Sequence, residues 1–308
     1  MSNNTGEVLL CIDMSNILHK TFYVHAQTPT EELIPLAYHA SLQTLNKYHK
    51  LIKPTKTIFV FDRGNWRKAY TQSEVCLSGK LYKGQRRQNM TPSQKKRYEA
   101  FQGFINDFEQ LMRDHTSIVC LAGDGLEADD LIAGVCQTFT TADKICIVSA
   151  DKDMMQLLQH SNVQLIDPAT GKNRTLAEWS HDAKYFLFEK CLRGDLGDNV
   201  QSAYPRIRKT RIDEAYADPF KRINMFNETW TNQSSVTFTV KDLFEENRLL
   251  MDLSAQPECV RNKIDDVITY EMENSGKYSH FHFLRFLGKY ELKNLAKQLE
   301  NFIPLLSR

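Results

Sequence analysis

Residues 144–155 read KICIVSADKDMM. The apolar run Ile145–Cys146–Ile147–Val148 reads as a core strand, and the chain then turns through small residues into a short helical pattern, DMMQLLQH at 153–160. Asp151 and Asp153 flank that turn. On an extended segment they would project alike; through a strand-to-helix turn they reach two neighbouring positions. Working outward, three more apolar runs have the same character: VLLCID at 8–13, KTIFVFD at 56–62 and SIVCLAG at 117–123. Helical patterns such as LIPLAYHASLQTLNKYHKLI at 33–52 lie between them. Alternation of this kind implies right-handed crossovers and a sheet covered on both faces. The expected class is therefore α/β, a central and mostly parallel sheet flanked by helices, followed by a helical C-terminal region.

Of the four runs, three end in an aspartate: Asp13, Asp62 and Asp151. In an open parallel sheet the carboxyl ends of the strands form the ligand crevice, so these acids converge although they are far apart in sequence. The fourth run ends just before GDGLEADDLIAGV at 123–135, which brings Asp124, Glu127, Asp129 and Asp130 to the same edge. Helix capping by an Asp124/Glu127 box explains two of these acids. It leaves Asp129 and Asp130, and it does not place an acid at each strand end. Asp195 and Asp198 in RGDLGDNV at 193–200 complete the set, although both also suit turn formation beside glycine; Asp13 likewise suits a helix cap.

Nine acids, Asp13, Asp62, Glu127, Asp129, Asp130, Asp151, Asp153, Asp195 and Asp198, raise one another's pKa when brought together, and divalent cations relieve that repulsion. A donor set of oxygens alone, without His or Cys, favours two Mg²⁺ ions, with Mn²⁺ as a substitute, over Zn²⁺. Two ions ~3.5–4 Å apart suit in-line phosphoryl displacement. Asp151 is expected near both.

Cations gather in GKLYKGQRRQNMTPSQKKRY at 79–98, which holds Lys80, Lys83, Arg86, Arg87, Lys95, Lys96 and Arg97 and no acid. Tyr82 is interleaved as a stacking face for a base. A second cluster, Arg206, Arg208, Lys209 and Arg211, follows the 193–200 loop and offers a bed for duplex phosphates. Net charge is only +1 over 308 residues, so the distribution carries the signal. A hydrophobic fraction of 42% and a charged fraction of 25% are ordinary for a globular chain. No apolar run is long enough for a bilayer, the start lacks a signal-peptide pattern, and the seven cysteines include no C-x-x-C pair. A cytoplasmic monomer with reduced thiols and no membrane contact is expected. From about residue 200 helical patterns dominate, NETWTNQSSVT at 227–237 reads as a flexible surface loop, and NVQLIDPATGKNRTL at 162–176 as a hairpin. Aromatic-rich YSHFHFLRFLGKY at 278–290 reads as helical core, with His280 and His282 packed or at the surface.

Taken in order, CIDMSN, FVFDRGNW, LYKGQRR, LEADDLIA, VSADKDMMQL and LRGDLGDNV resemble the flap endonuclease or 5′ nuclease family, most closely its T-even bacteriophage ribonuclease H branch, and FEENRLLMDL at 244–253 extends the resemblance across nearly the whole chain. The resemblance implies a PIN-like catalytic domain over residues 1–192 with a basic helical arch near 80–100. Residues 193–308 would form a helical region with a helix-hairpin-helix-like DNA-binding segment. It implies a first metal site from Asp13, Asp62, Glu127 and Asp129, a shared Asp151, and a second site from Asp153, Asp195 and Asp198. Asp130 would act on the metal through a water. Lys83 and Arg86 match the basic pair that meets the scissile phosphate, and Tyr82 an aromatic on which a terminal base stacks. The implied activity is Mg²⁺-dependent removal of RNA primers and 5′ flaps, leaving 5′ phosphates. Its substrates would be 5′-flap, nicked or forked duplex DNA and RNA–DNA hybrid. A replication clamp or single-strand DNA-binding protein is the implied partner, and a host-cell cytoplasm the implied location if the chain is phage-encoded. One departure stands out: many members of that family carry a glycine-rich turn here that often holds a potassium ion, whereas no glycine lies between Val200 and Arg211, so the resemblance does not extend to potassium binding. Outside this family, a Toprim-like phosphotransferase shares an acid followed by DKD, and a non-catalytic DNA-binding scaffold would direct its acids to water.

Overall fold

The computed structural model describes residues 6–24, 28–86, 88, 90–178 and 182–307. Its main sheet is built from β1 (Val8–Asp13), β2 (Lys56–Val60), β3 (Val119–Leu121), β4 (Lys144–Val148), β5 (Val163–Ile166) and β6 (Asn173–Arg174) in the order β3-β2-β1-β4-β5-β6. Its first five strands in sequence run parallel, and β6 turns back antiparallel on β5 as the expected hairpin. Helices α1 (Met14–Val24), α2 (Thr30–Ile52), α3 (Trp66–Gln72), α4 (Pro92–His115) and α5 (Ala128–Thr138) connect the strands. The chain continues through α6 (Ala183–Arg193), α7 (Lys209–Ala217), α8 (Pro219–Phe226) and a small antiparallel ribbon of β7 (Thr229–Thr231) and β8 (Thr237–Thr239). It ends with α9 (Val240–Met251), α10 (Glu258–Glu273), α11 (His280–Lys289), α12 (Lys293–Lys297) and α13 (Ile303–Leu306).

Period-two alternation sorts the strand residues between two cores. Leu10, Ile12, Phe59, Phe61, Cys120 and Val148 join the core under α1, α2 and α4, whereas Leu9, Cys11, Ile58, Val60, Leu121 and Ile147 join the one under α5. Asp13 and Asp62 continue the second phase, so both sit at the sheet edge on the α5 side. β1 lies between β2 and β4, and the chain leaves β1 for one neighbour before returning to the other. The crevice of such a sheet opens where that order reverses, at the carboxyl ends of β1 and β4.

The expected division at residues 192 and 193 does not match the division of the cores. That boundary falls inside α6, and the last helices return to the sheet: Phe283, Leu287, Phe302 and Leu306 fill one face, Val260, Ile264 and Ile268 the other. Between them, α6–α9 form a third core around Phe188, Leu192, Ile212, Met225 and Leu243. Residues 227–237, expected as a flexible loop, instead contribute to the β7–β8 ribbon, closed by Asn232 Oδ1 accepting from the Ser234 and Val236 amides at 2.9 Å each. The basic stretch is also split. Residues 82–86 form turns, and α4 starts only at Pro92, behind a Thr91/Gln94 capping box. Arg87 lies outside the described residues.

Candidate metal centre and nucleic-acid face

The crevice is assembled from loops tied to each other. Gly64 (φ +109°) and Gly125 (φ +75°) let the loops after β2 and β3 zip together, through Gly125 N–H to Arg63 O at 2.6 Å and Trp66 N–H to Gly125 O at 2.8 Å. A Cβ on Gly64 would stand 3.1 Å from the Gly125 backbone, so the approach needs glycine. Asp62 Oδ1 accepts the Ala128 amide at 2.7 Å, taking one of the amides that a helix start leaves without an intrahelical partner. Asp13 accepts the Asn16 amide at 2.9 Å and the Ser149 hydroxyl at 2.7 Å, which joins β1 to the end of β4. Burial, with Asp62 beside it, pushes the Asp13 carboxyl up to about 7 against those two hydrogen bonds.

At the start of α5 the cap sits one turn later than expected. Glu127, not Asp124, is the residue before the helix, and its amide donates to Asp130 Oδ2 at 3.2 Å. Glu127, Asp129 and Asp130 bring carboxylate oxygens within 4.8 Å of one another. Asp130, however, has no lone pair left to act as a ligand, directly or through water. Oδ1 accepts from Arg67 Nη2 at 2.8 Å and Gln256 Nε2 at 3.3 Å, and Oδ2 from Arg67 Nη1 at 2.9 Å, Trp66 Nε1 at 3.2 Å and the Glu127 amide. Its expected metal role is corrected to a structural one. Burial holds the Asp129 and Glu127 carboxyls above their ordinary range, with Arg67 and Lys83 opposing.

A second acid group faces the first. Asp151 Oδ1 accepts the Asp153 amide at 2.9 Å. Lys190 of α6 donates to Asp153 and reaches Asp195 Oδ2 at 3.2 Å. Burial raises Asp153 while Lys190 resists; burial also works to raise Asp195, but there Lys190 and the Asp198 and Gly197 amides prevail and hold it low. Asp195 Oδ1 accepts those two amides, so it is a turn former as well as a candidate ligand. Gly194 (φ +70°) closes this loop, with Asp195 and Val200 exchanging hydrogen bonds at 3.0 and 2.8 Å.

Lys83 joins the two groups, its Nζ 2.5 Å from Glu127 Oε1 and 3.8 Å from Asp198 Oδ2. Arg86 pairs with Asp198 Oδ1. Tyr82 departs from expectation: it is 3% exposed, and its hydroxyl donates to Asp198 Oδ2 at 2.7 Å. A buried ring cannot receive a terminal base, so Tyr82 positions Asp198. Lys80, Lys95, Lys96, Arg206, Arg208 and Lys209 are exposed. Arg97 is instead partly buried, bonded to Thr28 O at 3.0 Å and set over the Phe22 ring. Arg211 braces the ribbon by pairing with Glu228 and stacking on Tyr204, so neither is a ready phosphate ligand. Sequence reasoning missed Lys190, Arg67 and Ser149. For Ser149 the signal was its place between Val148 and Asp151 at a strand end; the two cations carried none beyond charge.

All-oxygen donors with raised carboxyl pKa values, crowded at a sheet crevice, fit hard divalent cations. Residues 8–186 match the family described as 5′-3′ exonuclease, N-terminal resolvase-like domain. The chain belongs to the 5′-3′ exonuclease family. It is 25% identical over 295 residues to the ribonuclease H of Enterobacteria phage T4, covering 89% of this chain and 91% of that protein. In fold it resembles the bacteriophage T5 D15 protein crystallised with metal ions, with a TM-score of 0.64 and 21% identity over 85% of this chain and 99% of that one. The T5 D15 flap endonuclease in a pseudo-enzyme-product complex with DNA and metal ions matches equally, at TM-score 0.64 and 20% identity over 86% and 100%. Membership of this 5′ nuclease family makes the chain a nuclease and sets aside the Toprim-like reading. Among the described residues no helix is long and apolar enough to cross a membrane.

Proposed function

We propose that this chain is a structure-selective 5′-to-3′ nuclease that removes RNA primers and 5′ flaps from duplex DNA with two Mg²⁺ ions, leaving 5′ phosphates. The observation that carries the reading is Lys83 poised between Glu127 and Asp198, one from each acid group, at the mouth of the crevice. Asp13, Asp62, Glu127 and Asp129 would hold one cation and Asp153, Asp195 and Asp198 the other, with Asp151 between them. Bound there, the cations would supply Lewis acidity to the reacting phosphate and to water. Lys83 and Arg86 would counter the charge that builds on the phosphate oxygens. Exposed Lys80, Lys95, Lys96, Arg206, Arg208 and Lys209 would hold the flanking backbone. That a T5 relative has been crystallised with DNA and metal ions supports nucleic acid as the ligand.

A 5′-labelled flap on duplex DNA, and the same flap with an RNA 5′ segment, incubated with and without Mg²⁺ test this directly. Short labelled products that require the cation are expected, and Asp151→Asn should bind the flap normally and leave it intact. Unchanged DNA with wild-type protein, or wild-type rates with Asp151→Asn, would overturn the assignment.

A further inference from the structure

A cavity of about 400 Å³ lies beside the third core, between α6, α8, α9 and the 3₁₀ turn Asp153–Gln159, and none of the nine acids lines it. We propose that it binds a nucleoside monophosphate, with the base on its aromatic floor and the phosphate at its rim. The inference stands apart from the nuclease reading, because it uses neither the acids nor the cations assigned to the substrate.

The floor is apolar. Leu187, Phe188 and Cys191 of α6 meet Phe226 of α8 and Phe244 of α9 there. The three phenylalanine rings tilt at 41–57° to one another instead of stacking face to face, which leaves ring faces for a flat guest.

The rim is cationic. Of its three cations, Arg248 is committed to Asp252, the one lining carboxylate, at 3.3 Å and to Glu245 at 3.5 Å. Asp252 Oδ1 is taken by the Ser254 amide at 2.8 Å and the Ser254 hydroxyl at 2.6 Å. Lys184 and Arg222 remain, and among the described residues neither forms an ion pair. Two uncompensated cations match a phosphomonoester, which carries about −1.5 to −2 charges at neutral pH, better than they match a carboxylate. The planar fork of Arg222 suits its oxygens. Size excludes a polymer: small-molecule sites span roughly 300–1,000 Å³, and this cavity lies near the lower end.

The walls are pinned before any ligand arrives. Gln156, 4% exposed, donates from Nε2 to Met251 O at 3.1 Å and accepts the Leu253 amide at 2.9 Å, which holds the 3₁₀ turn to the end of α9. Asn247 Nδ2 donates to Cys191 O at 2.8 Å and holds α9 to α6. The Tyr216 hydroxyl donates at 3.1 Å to Asp182 Oδ1, which caps α6 through the Tyr185 amide at 2.6 Å. Apolar side chains alone would close such a space; these polar bonds hold it open.

Calorimetry in EDTA provides the test, with dAMP, deoxyadenosine, inorganic phosphate and phenyl phosphate as probes. Binding of dAMP should be at least about tenfold tighter than that of deoxyadenosine or inorganic phosphate, since each lacks half of the recognition. Lys184→Gln and Arg222→Gln should each weaken dAMP about tenfold, the scale of one charge-assisted hydrogen bond, with Tm unchanged. Leu187→Trp, which fills the floor, should abolish binding; where it lowers Tm, the two rim variants decide. No binding of dAMP at millimolar concentration, or equal binding to wild type and both rim variants, overturns the site. Inorganic phosphate matching dAMP would leave only a charged patch, and deoxyadenosine matching it would leave the cations without a part; either result overturns it. Phenyl phosphate matching dAMP would assign the cavity to a phosphorylated aromatic side chain and remove the nucleotide. Excess 5′-flap duplex should leave dAMP bound. Displacement by it would place dAMP in the substrate crevice and overturn the cavity, whereas the nuclease reading, tested by Mg²⁺-dependent cleavage, stands or falls separately.

Discussion

The Lys83 ammonium lies 2.5 Å from Glu127 Oε1 at the edge of the crevice, and this ion pair occupies a carboxylate that a cation would need. Burial works against the lysine's charge, but Glu127 and Asp198 outweigh it and raise its pKa. Lys83 is therefore a built-in counterion to Glu127 and Asp198, and a cation binding Glu127 would compete with it. Lys83→Gln should then bind Mn²⁺ more tightly, by calorimetry, while cleaving a flap at least about 100-fold more slowly, the size expected from losing one charge-stabilising group. Tighter metal binding with unchanged cleavage would separate Lys83 from the chemistry.

Arg67 gives a stability prediction. Its side chain is 1% exposed and pairs with Asp130, at 0%, while Nε donates to Leu250 O at 2.7 Å and so links α3, α5 and α9. Removing one partner of such a pair strands a buried charge. Arg67→Met should lose about 3–5 kcal/mol in urea unfolding, and Arg67→Met combined with Asp130→Leu should recover most of it. A double variant no better than the single one would show that the Leu250 contact, rather than the ion pair, is the larger contribution.

The acids make a pH prediction for metal-free protein. A carboxyl raised from 3.8 to about 7, as Asp13 is, binds more protons folded than unfolded between those values, so stability falls as pH rises through that window. The change is at most about 4 kcal/mol, and raised Glu127, Asp129 and Asp153 act in the same direction. In EDTA, Tm should decline from pH 5 to pH 8, Asp13→Asn should flatten the decline, and added Mg²⁺ should restore Tm most at pH 8. A Tm rising over that range in EDTA would contradict the raised carboxyl pKa values.

Much of this was legible in sequence because a buried parallel strand is a continuous apolar run, and an acid at its end can only point into the crevice. The strands, their order of appearance and the converging acids came through that route. What did not come through depends on partners far along the chain. Tyr82 looked available to a base because Asp198, which buries its hydroxyl, is 116 residues away. Asp130 looked like its neighbours Glu127 and Asp129 until Arg67 met it from α3. The β7–β8 ribbon was hidden by its own composition: Thr, Asn, Gln and Ser give no alternating apolar face, and Phe238 alone is buried along it.

Lys190 belongs to the same class, a lysine on a helix that reads as a solvated residue and is in fact enclosed by acids. It donates to Asp153 and stands 3.2 Å from Asp195 Oδ2, and the pair drives its own pKa upward despite burial. Without metal it is the cation that keeps these carboxylates from repelling each other across the 153–198 side of the crevice. Lys190→Met should therefore lower Tm in EDTA by several degrees, more at pH 8 than at pH 5, since both acids would then have to ionise without a counterion. Saturating Mn²⁺ should close most of the gap with wild type, because a divalent cation can take over the same charge. Thermal melts of the two proteins at both pH values, with and without Mn²⁺, decide the matter: a deficit that Mn²⁺ leaves untouched would mean that Lys190 acts by packing its stem rather than by its charge.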